Sequence, residues 1–230
     1  MATSKLRRLA SLGIAASSLL AVVTLPAACG GQPTQQHTAV PPSATAYSSA
    51  TMGFATNYDA ARLLVVDDAS STWVGLLRGY LVRNFPRTGR DAVAIRKSPL
   101  IAFVPRTASP RRGMPHAWVV IYYEPVSAHG SAQATKPQVL RYVAASLQAT
   151  MRSHGITTAR VVAGRVRQLP MVLQTWHVGR IGVEPPGEAR TEWLFAPGRE
   201  YVVISYSDEA HAPVYTPLFR QIESGFKSIT

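Results

Sequence analysis

From about residue 57 the chain alternates short apolar runs with polar links that carry proline and glycine. "ARLLVV" is a candidate strand. "SSTWVGLLRGYLVRNF" then places Trp73, Leu76, Leu77, Tyr80 and Leu81 at helical spacing behind Ser70 and Ser71, which suit a helix cap. "DAVAIR" and "LIAFVP" are strand-like runs parted by Ser98-Pro99, and "HAWVVIYYEP" is the strongest strand signal, filled with β-branched and aromatic residues from Trp118 to Tyr123. A helix is expected from about Pro137 to Ser153, with Val139, Leu140, Val143, Leu147 and Met151 on one face. Strands resume in "ARVVAGRVRQL", "MVLQTWHVGR", "RTEWLFAPG" and "EYVVISYS", the last two joined by the turn signal "APGRE". Val172, Gln174, Trp176 and Val178 alternate with Leu173, Thr175 and His177, as in a sheet with unlike faces. A closing helix, "APVYTPLFRQIESGFKSI", presents Val214, Leu218, Phe219, Ile222 and Phe226 as its buried stripe, with Pro217 in its first turn. This order predicts an α+β fold, an antiparallel sheet covered by helices, in one domain over residues 57–230.

The first 28 residues follow another pattern. A basic start, "SKLRR", precedes the apolar run "LASLGIAASSLLAVVTL", which closes on Ala27 and Ala28. That is the layout of a secretory signal peptide; the run is too rich in Ala, Ser and Gly to make a strong membrane span. Residues 29–56 are dominated by Gly, Pro, Ser, Thr and Gln, without charge or apolar period, and are expected to be a flexible tether.

Composition sharpens this division. The chain has 230 residues and a net charge of +12, of which Lys5, Arg7 and Arg8 precede Cys29, so +9 follows it. The excess is nearly all arginine, whose planar fork suits phosphate and carboxylate. Residues 62–112 hold ten Arg and Lys against three acids. Within them "RTASPRRGMP" is an expected exposed loop, with Arg106, Arg111 and Arg112 as candidate anion-binding residues. Arg78, Arg83 and Arg87 lie off the apolar stripe of the first helix, which fits a domain helix with a solvated face better than one lying on a membrane. Cys29 is the sole cysteine, which excludes an internal disulfide and a cysteine-rich metal site.

Cys29 directly follows Ala27-Ala28, and here the chain resembles bacterial lipoproteins, whose signal is cut just before a cysteine that then carries lipid. The cut would fall between Ala28 and Cys29. The departure is Pro26, which stands where such lipoboxes usually have Leu. The resemblance implies an extracytoplasmic protein held to the cell membrane by lipid on Cys29. From about residue 90 the chain also resembles the PsbP/Mog-type α/β/α sandwich of small actinobacterial lipoproteins of the LpqN/LpqT kind. The likeness rests on "WVVIYYEP" followed by the "VLRYVAASLQATMRSHG" helix, on "VVAGRVRQLPMVLQTWHV", and on the ending "YTPLFRQIESGFKSI". It lacks a Tyr-Pro…Trp opening hairpin, where a helix is expected instead. It implies a non-enzymatic binding or scaffolding module of the cell envelope, and carries over no catalytic residue or cofactor.

No catalytic or metal-ligand motif stands out from spacing. The histidines, at 37, 116, 129, 154, 177 and 211, show no HxxxH or HExxH pair, and no GxSxG elbow or phosphate-binding glycine loop is present. No metal ligand set is therefore expected. Glu184, Glu188 and Glu192 read as a solvated loop rather than a paired-carboxylate site. Asp208, Glu209 and His211 form an acidic loop before the last helix, read as a charge cluster at the helix N-terminus, with a cation site as the alternative. The alternatives to a binding module are a hydrolase with its site near His177 and Asp208-Glu209, or a lipid carrier. Beyond the membrane, expected partners are an envelope protein, a lipid or an anionic glycan, and not nucleic acid.

Overall fold

The computed structural model describes residues 43–67, 69–84, 95–125, 135–153, 159–178 and 185–229. The expected signal peptide, Cys29 and most of the expected tether lie outside these residues. The described elements are strands β1 (Thr45–Ser49), β2 (Phe54–Tyr58) and β3 (Leu63–Val66), helix α1 (Thr72–Asn84), strands β4 (Leu100–Pro105) and β5 (Ala117–Pro125), and helix α2 (Pro137–Ser153). Strands β6 (Arg160–Val166), β7 (Leu169–Val178), β8 (Gly187–Ala196) and β9 (Arg199–Asp208), helix α3 (Ala212–Gly225) and strand β10 (Lys227–Ser228) follow. Strands β3 to β9 form a seven-stranded antiparallel sheet in the order β3-β4-β5-β9-β8-β7-β6, and β1-β2-β10 form a smaller one. The fold is α+β, an antiparallel sheet covered by helices.

Period-two alternation assigns each face of the large sheet. One face presents Trp118, Val120, Tyr122, Val202, Ile204 and Tyr206 to the buried side of α1, made by Trp73, Val74, Leu77 and Leu81. The same face continues across Val172 and Trp193 to Leu140 and Ala144 of α2. The opposite face presents Ile101, Phe103, Val119, Ile121, Tyr201 and Val203 to Leu218, Phe219 and Ile222 of α3 and to the small sheet. Helices on one face and a helix with a small sheet on the other make three layers and two cores. The apolar stripe of α1 is spent on the core, so it is the domain helix rather than a membrane-lying one. Its first turn is capped as the sequence predicts: the Trp73 N–H donates to Ser71 Oγ at 3.3 Å.

Five expectations need correction. The tether stops short of residue 56, because residues 45–58 form the β1–β2 hairpin. Met52 and Phe54 are fully buried there, and Phe54 stacks on Phe226 at 5.0 Å, so this small-residue stretch carries enough apolar surface to fold. It also supplies an opening hairpin where the sequence suggested a helix alone. Residues 95–97 are helical rather than part of a strand, with Ile95 buried against the α1 core, while 91–94 lie outside the described residues. In α3, Pro217 sits beyond the first turn, where Pro213 already occupies the start, and Val214 is exposed at 49%.

Antiparallel pairing sets which ends meet. The two-residue turns Arg167-Gln168 and Pro197-Gly198 close the β6–β7 and β8–β9 hairpins at one end of the sheet. Gly198 has φ 72°, the left-handed conformation such a turn demands. At the other end lie the start of β5, the end of β7, the start of β8 and the end of β9, and with them His116, His177, Glu188, Asp208 and Glu209.

Candidate functional site

Helix α3 packs on β5 and β9, and beside it the sheet face of β6, β7 and the first half of β8 is only partly covered. The result is a half-open cleft of about 490 Å³. Its floor is Val162, Leu173 and Thr175; Arg160 of β6, Arg190 of β8 and Arg220 of α3 reach into it, and His177 and Glu188 also line it. The register explains the convergence: Arg160 pairs with Thr175, and Thr175 with Arg190, so one row across three strands carries both arginines on the same face.

Arg190 is held from behind by two buried carboxylates. Its Nη2 lies 3.3 Å from Glu192 Oε1 and 3.0 Å from Glu223 Oε2, and Ser205 Oγ donates to Glu223 Oε1 at 3.0 Å. Burial pushes the Glu192 carboxyl up to about 8, the neighbouring Glu223 adds to that, and Arg190 pulls against it. Glu223 is also raised, by burial first, against the pull of Arg190 and the Ser205 hydroxyl. Burial works against the Arg190 cation, but the two carboxylates outweigh it and hold its pKa above the ordinary value. One proton shared by Glu192 and Glu223 makes the trio neutral, the arrangement burial favours. The expected solvated loop is therefore overturned at Glu192, which sits 3% exposed in a strand. Glu188 is exposed in the same strand, and Glu184 lies outside the described residues.

The hydrolase alternative placed His177 near Asp208-Glu209. His177 Nε2 does lie 3.2 Å from Glu209 Oε1, with both side chains half exposed. Beside them stands a grouping that chain spacing hides. Asp208 Oδ2 is 3.1 Å from His116 Nδ1, and Asp208 Oδ1 is 2.7 Å from His211 Nδ1. The two imidazoles stack at 4.6 Å with planes 15° apart. His116 and Asp208 are 92 residues apart in the chain, and only the β5–β9 pairing brings them together. From the sequence no metal ligand set is expected, and a cation site at Asp208, Glu209 and His211 stands as an alternative; the structure groups Asp208 and His211 with His116 instead, a ligand atom from each within 4.8 Å of the others.

The candidate anion-binding arginines of the β4–β5 loop lie outside the cleft wall. Arg111 and Arg112 are exposed on a 3-10 turn, Pro110–Arg112, and Arg106 Nε donates to the Ala60 carbonyl at 2.6 Å. The arginines that do converge, Arg160, Arg190 and Arg220, come from three separate elements and form no run in the sequence.

No family model and no curated protein matches the chain. Among solved structures it is similar to the solution structure of cyanobacterial PsbP (CyanoP) from Synechocystis sp. PCC 6803. That match is 11% identical and covers 88% of this chain and 98% of that one, with a TM-score of 0.44. It is similar to a crystal structure from Bacteroides thetaiotaomicron VPI-5482 at 6% identity, covering 80% of this chain and 47% of that one, with a TM-score of 0.43. It is also similar to PA94 of Pseudomonas aeruginosa, a protein of unknown function, at 16% identity over 54% of this chain and 79% of that one, TM-score 0.36. A PsbP structure thus stands among its neighbours, and at these identities the likeness is one of fold alone.

Proposed function

We propose that the chain is an extracytoplasmic lipoprotein, anchored by lipid on Cys29, whose domain is a non-enzymatic module that binds a small anionic ligand in the cleft. The observation that carries the ligand class is the convergence of Arg160, Arg190 and Arg220 on one cleft of about 490 Å³, a size that suits a small molecule. Guanidinium forks hold carboxylate and phosphate through paired charge-assisted hydrogen bonds. Arg190 is already oriented by Glu192 and Glu223, so little side-chain freedom is lost when an anion arrives. A half-open basic cleft suits a charged group better than an enclosed acyl chain, which disfavours the lipid-carrier reading. Among the described residues no helix is long and apolar enough to cross a membrane.

Calorimetry with inorganic phosphate and with small di- and tricarboxylates tests the cleft. Saturable binding that falls about tenfold or more in an Arg160→Ala/Arg220→Ala double variant supports it. Equal binding of a neutral analogue overturns it. The anchor has its own test: Cys29→Ala should release the protein from membranes, and continued membrane association would refute lipid attachment at that residue.

A hydrolase reading is favoured by one observation, the His177–Glu209 contact, which resembles a base with its orienting carboxylate. It predicts turnover of activated esters that His177→Ala abolishes; turnover that survives the change would remove its basis.

A further inference from the structure

We propose that His116, Asp208 and His211 bind a divalent transition-metal ion of the zinc or copper type at the end of the sheet beside the start of α3. The reading is independent of the anion cleft, because none of the three residues lines it.

The ligand set is built on a fixed carboxylate and two accessible rings. Asp208 is the last residue of β9, and its side chain is 5% exposed. Two main-chain N–H groups hold it in place. Its own N–H donates to the His116 carbonyl at 2.9 Å, and the His211 N–H reaches both its carbonyl at 3.2 Å and its Oδ1 at 2.8 Å. The first of these ties the residue just before β5 directly to the last residue of β9. The rings lie on the solvent side, His116 at 67% and His211 at 42% side-chain exposure, so an ion can enter without opening the core.

The distances are those of a site one small movement from closure. A tetrahedral zinc with bonds of about 2.0–2.1 Å holds its ligand atoms roughly 3.3 Å apart. Here a ligand atom from each residue lies within 4.8 Å of the others, and each imidazole already touches the carboxylate, His116 Nδ1 at Oδ2 (3.1 Å) and His211 Nδ1 at Oδ1 (2.7 Å). The remaining movement falls on the rings, and His116 is exposed enough to make it. Two imidazoles and one carboxylate are a nitrogen-rich donor set, which selects zinc, copper or nickel over magnesium or calcium, whose ligands are oxygen. Three protein ligands leave a tetrahedral ion one further position.

Asp208 also closes the turn that leads into α3 by accepting the His211 N–H, so a purely structural role is the competing account, and the test separates the two. The full-length protein, purified in detergent, would be titrated with zinc against a chromophoric chelator and, separately, with cobalt. The expected result is one saturable equivalent of zinc, cobalt absorption bands of tetrahedral intensity, and no competition from a large excess of magnesium or calcium. His116→Ala, which removes an exposed ring, and His116→Ala/His211→Ala should lower zinc affinity about tenfold and about a hundredfold or more. Asp208→Asn risks the fold, so the histidine variants carry the test, with circular dichroism confirming native structure. Absence of saturable zinc binding, or zinc binding unchanged in the double variant, would overturn the proposal; so would calcium or magnesium displacing zinc at comparable concentration.

Discussion

At the scale of single residues, the buried polar groups decide most. Glu192 holds its proton in the folded state up to about pH 8, well above an ordinary glutamate. Between the two values the folded state binds more protons than the unfolded one. Stability therefore falls as pH rises across that window, by at most about 1.4 kcal/mol per pH unit, and levels off above about pH 8. Glu192→Gln mimics the protonated acid and leaves Arg190 paired with Glu223 alone. Denaturant unfolding from about pH 5 to about pH 8 should show this decline in the parent chain and a much flatter profile in the variant. Equal slopes would show that the proton is not held at this pair. Gln174 poses the opposite case. It is 0% exposed, and neither its Oε1 nor its Nε2 finds a hydrogen-bond partner among the described residues. Gln174→Leu should raise the unfolding free energy by about 1–2 kcal/mol, because an unsatisfied buried amide costs more than an apolar group of similar size. A loss of stability on that change would mean that the amide is satisfied after all.

At the scale of elements, the start of β8 is the joint between the sheet and the His116–Asp208–His211 grouping. Gly187 pairs with Asp208 in register, and a Cβ there would meet the Ser207 carbonyl oxygen, Asp208 Cα and a Tyr206 ring carbon, the last two at 2.9 Å. Gly187→Ala must push the end of β9 away, moving Asp208. The expected outcome is a loss of about 1–3 kcal/mol in stability together with weaker zinc binding. Native stability and binding in that variant would show that β9 yields without cost. The sequence made some elements plain and hid others for physical reasons. The strands β5 and β9 are dense in β-branched and aromatic residues, and Pro197-Gly198 marks the turn after β8, so periodicity and turn chemistry suffice there. The β1–β2 hairpin was hidden because Ser, Thr and Ala flank its few large residues, Tyr47, Met52 and Phe54, and local composition does not reveal what they meet. The burial of Glu192 was hidden because its compensation comes from Glu223 and Arg190 together, one of them on a different element. The pairing of His116 with Asp208 was hidden by strand order, since β5 and β9 are neighbours in the sheet and far apart in the chain.

At the scale of the molecule, the hairpin changes how the domain relates to its expected anchor. Between Cys29 and β1 lie 15 residues, numbers 30–44, about half of the expected tether. Fully extended they span about 50 Å, which is the upper limit on the distance from the proposed anchor at Cys29 to the start of β1. The hairpin itself belongs to the folded domain. β2 pairs with β10, Thr56 Oγ1 donates to the Ile222 carbonyl at 2.5 Å, and the Tyr201 hydroxyl lies 2.8 Å from the Met52 carbonyl and 2.9 Å from that of Gly53. Burying Met52 and Phe54 contributes about 1.5–3 kcal/mol each, a large share of a net stability of about 5–15 kcal/mol. A chain that begins at residue 43 should melt with the same cooperative transition as the full protein. One that begins at residue 57 should lose that transition or melt at least about 10 °C lower, because Phe226 and Tyr201 would face an open cavity. Thermal unfolding followed by near-ultraviolet circular dichroism distinguishes the two, since the aromatic cluster that reports is the one the hairpin closes. An unchanged melt for the shorter chain would return residues 45–56 to the tether.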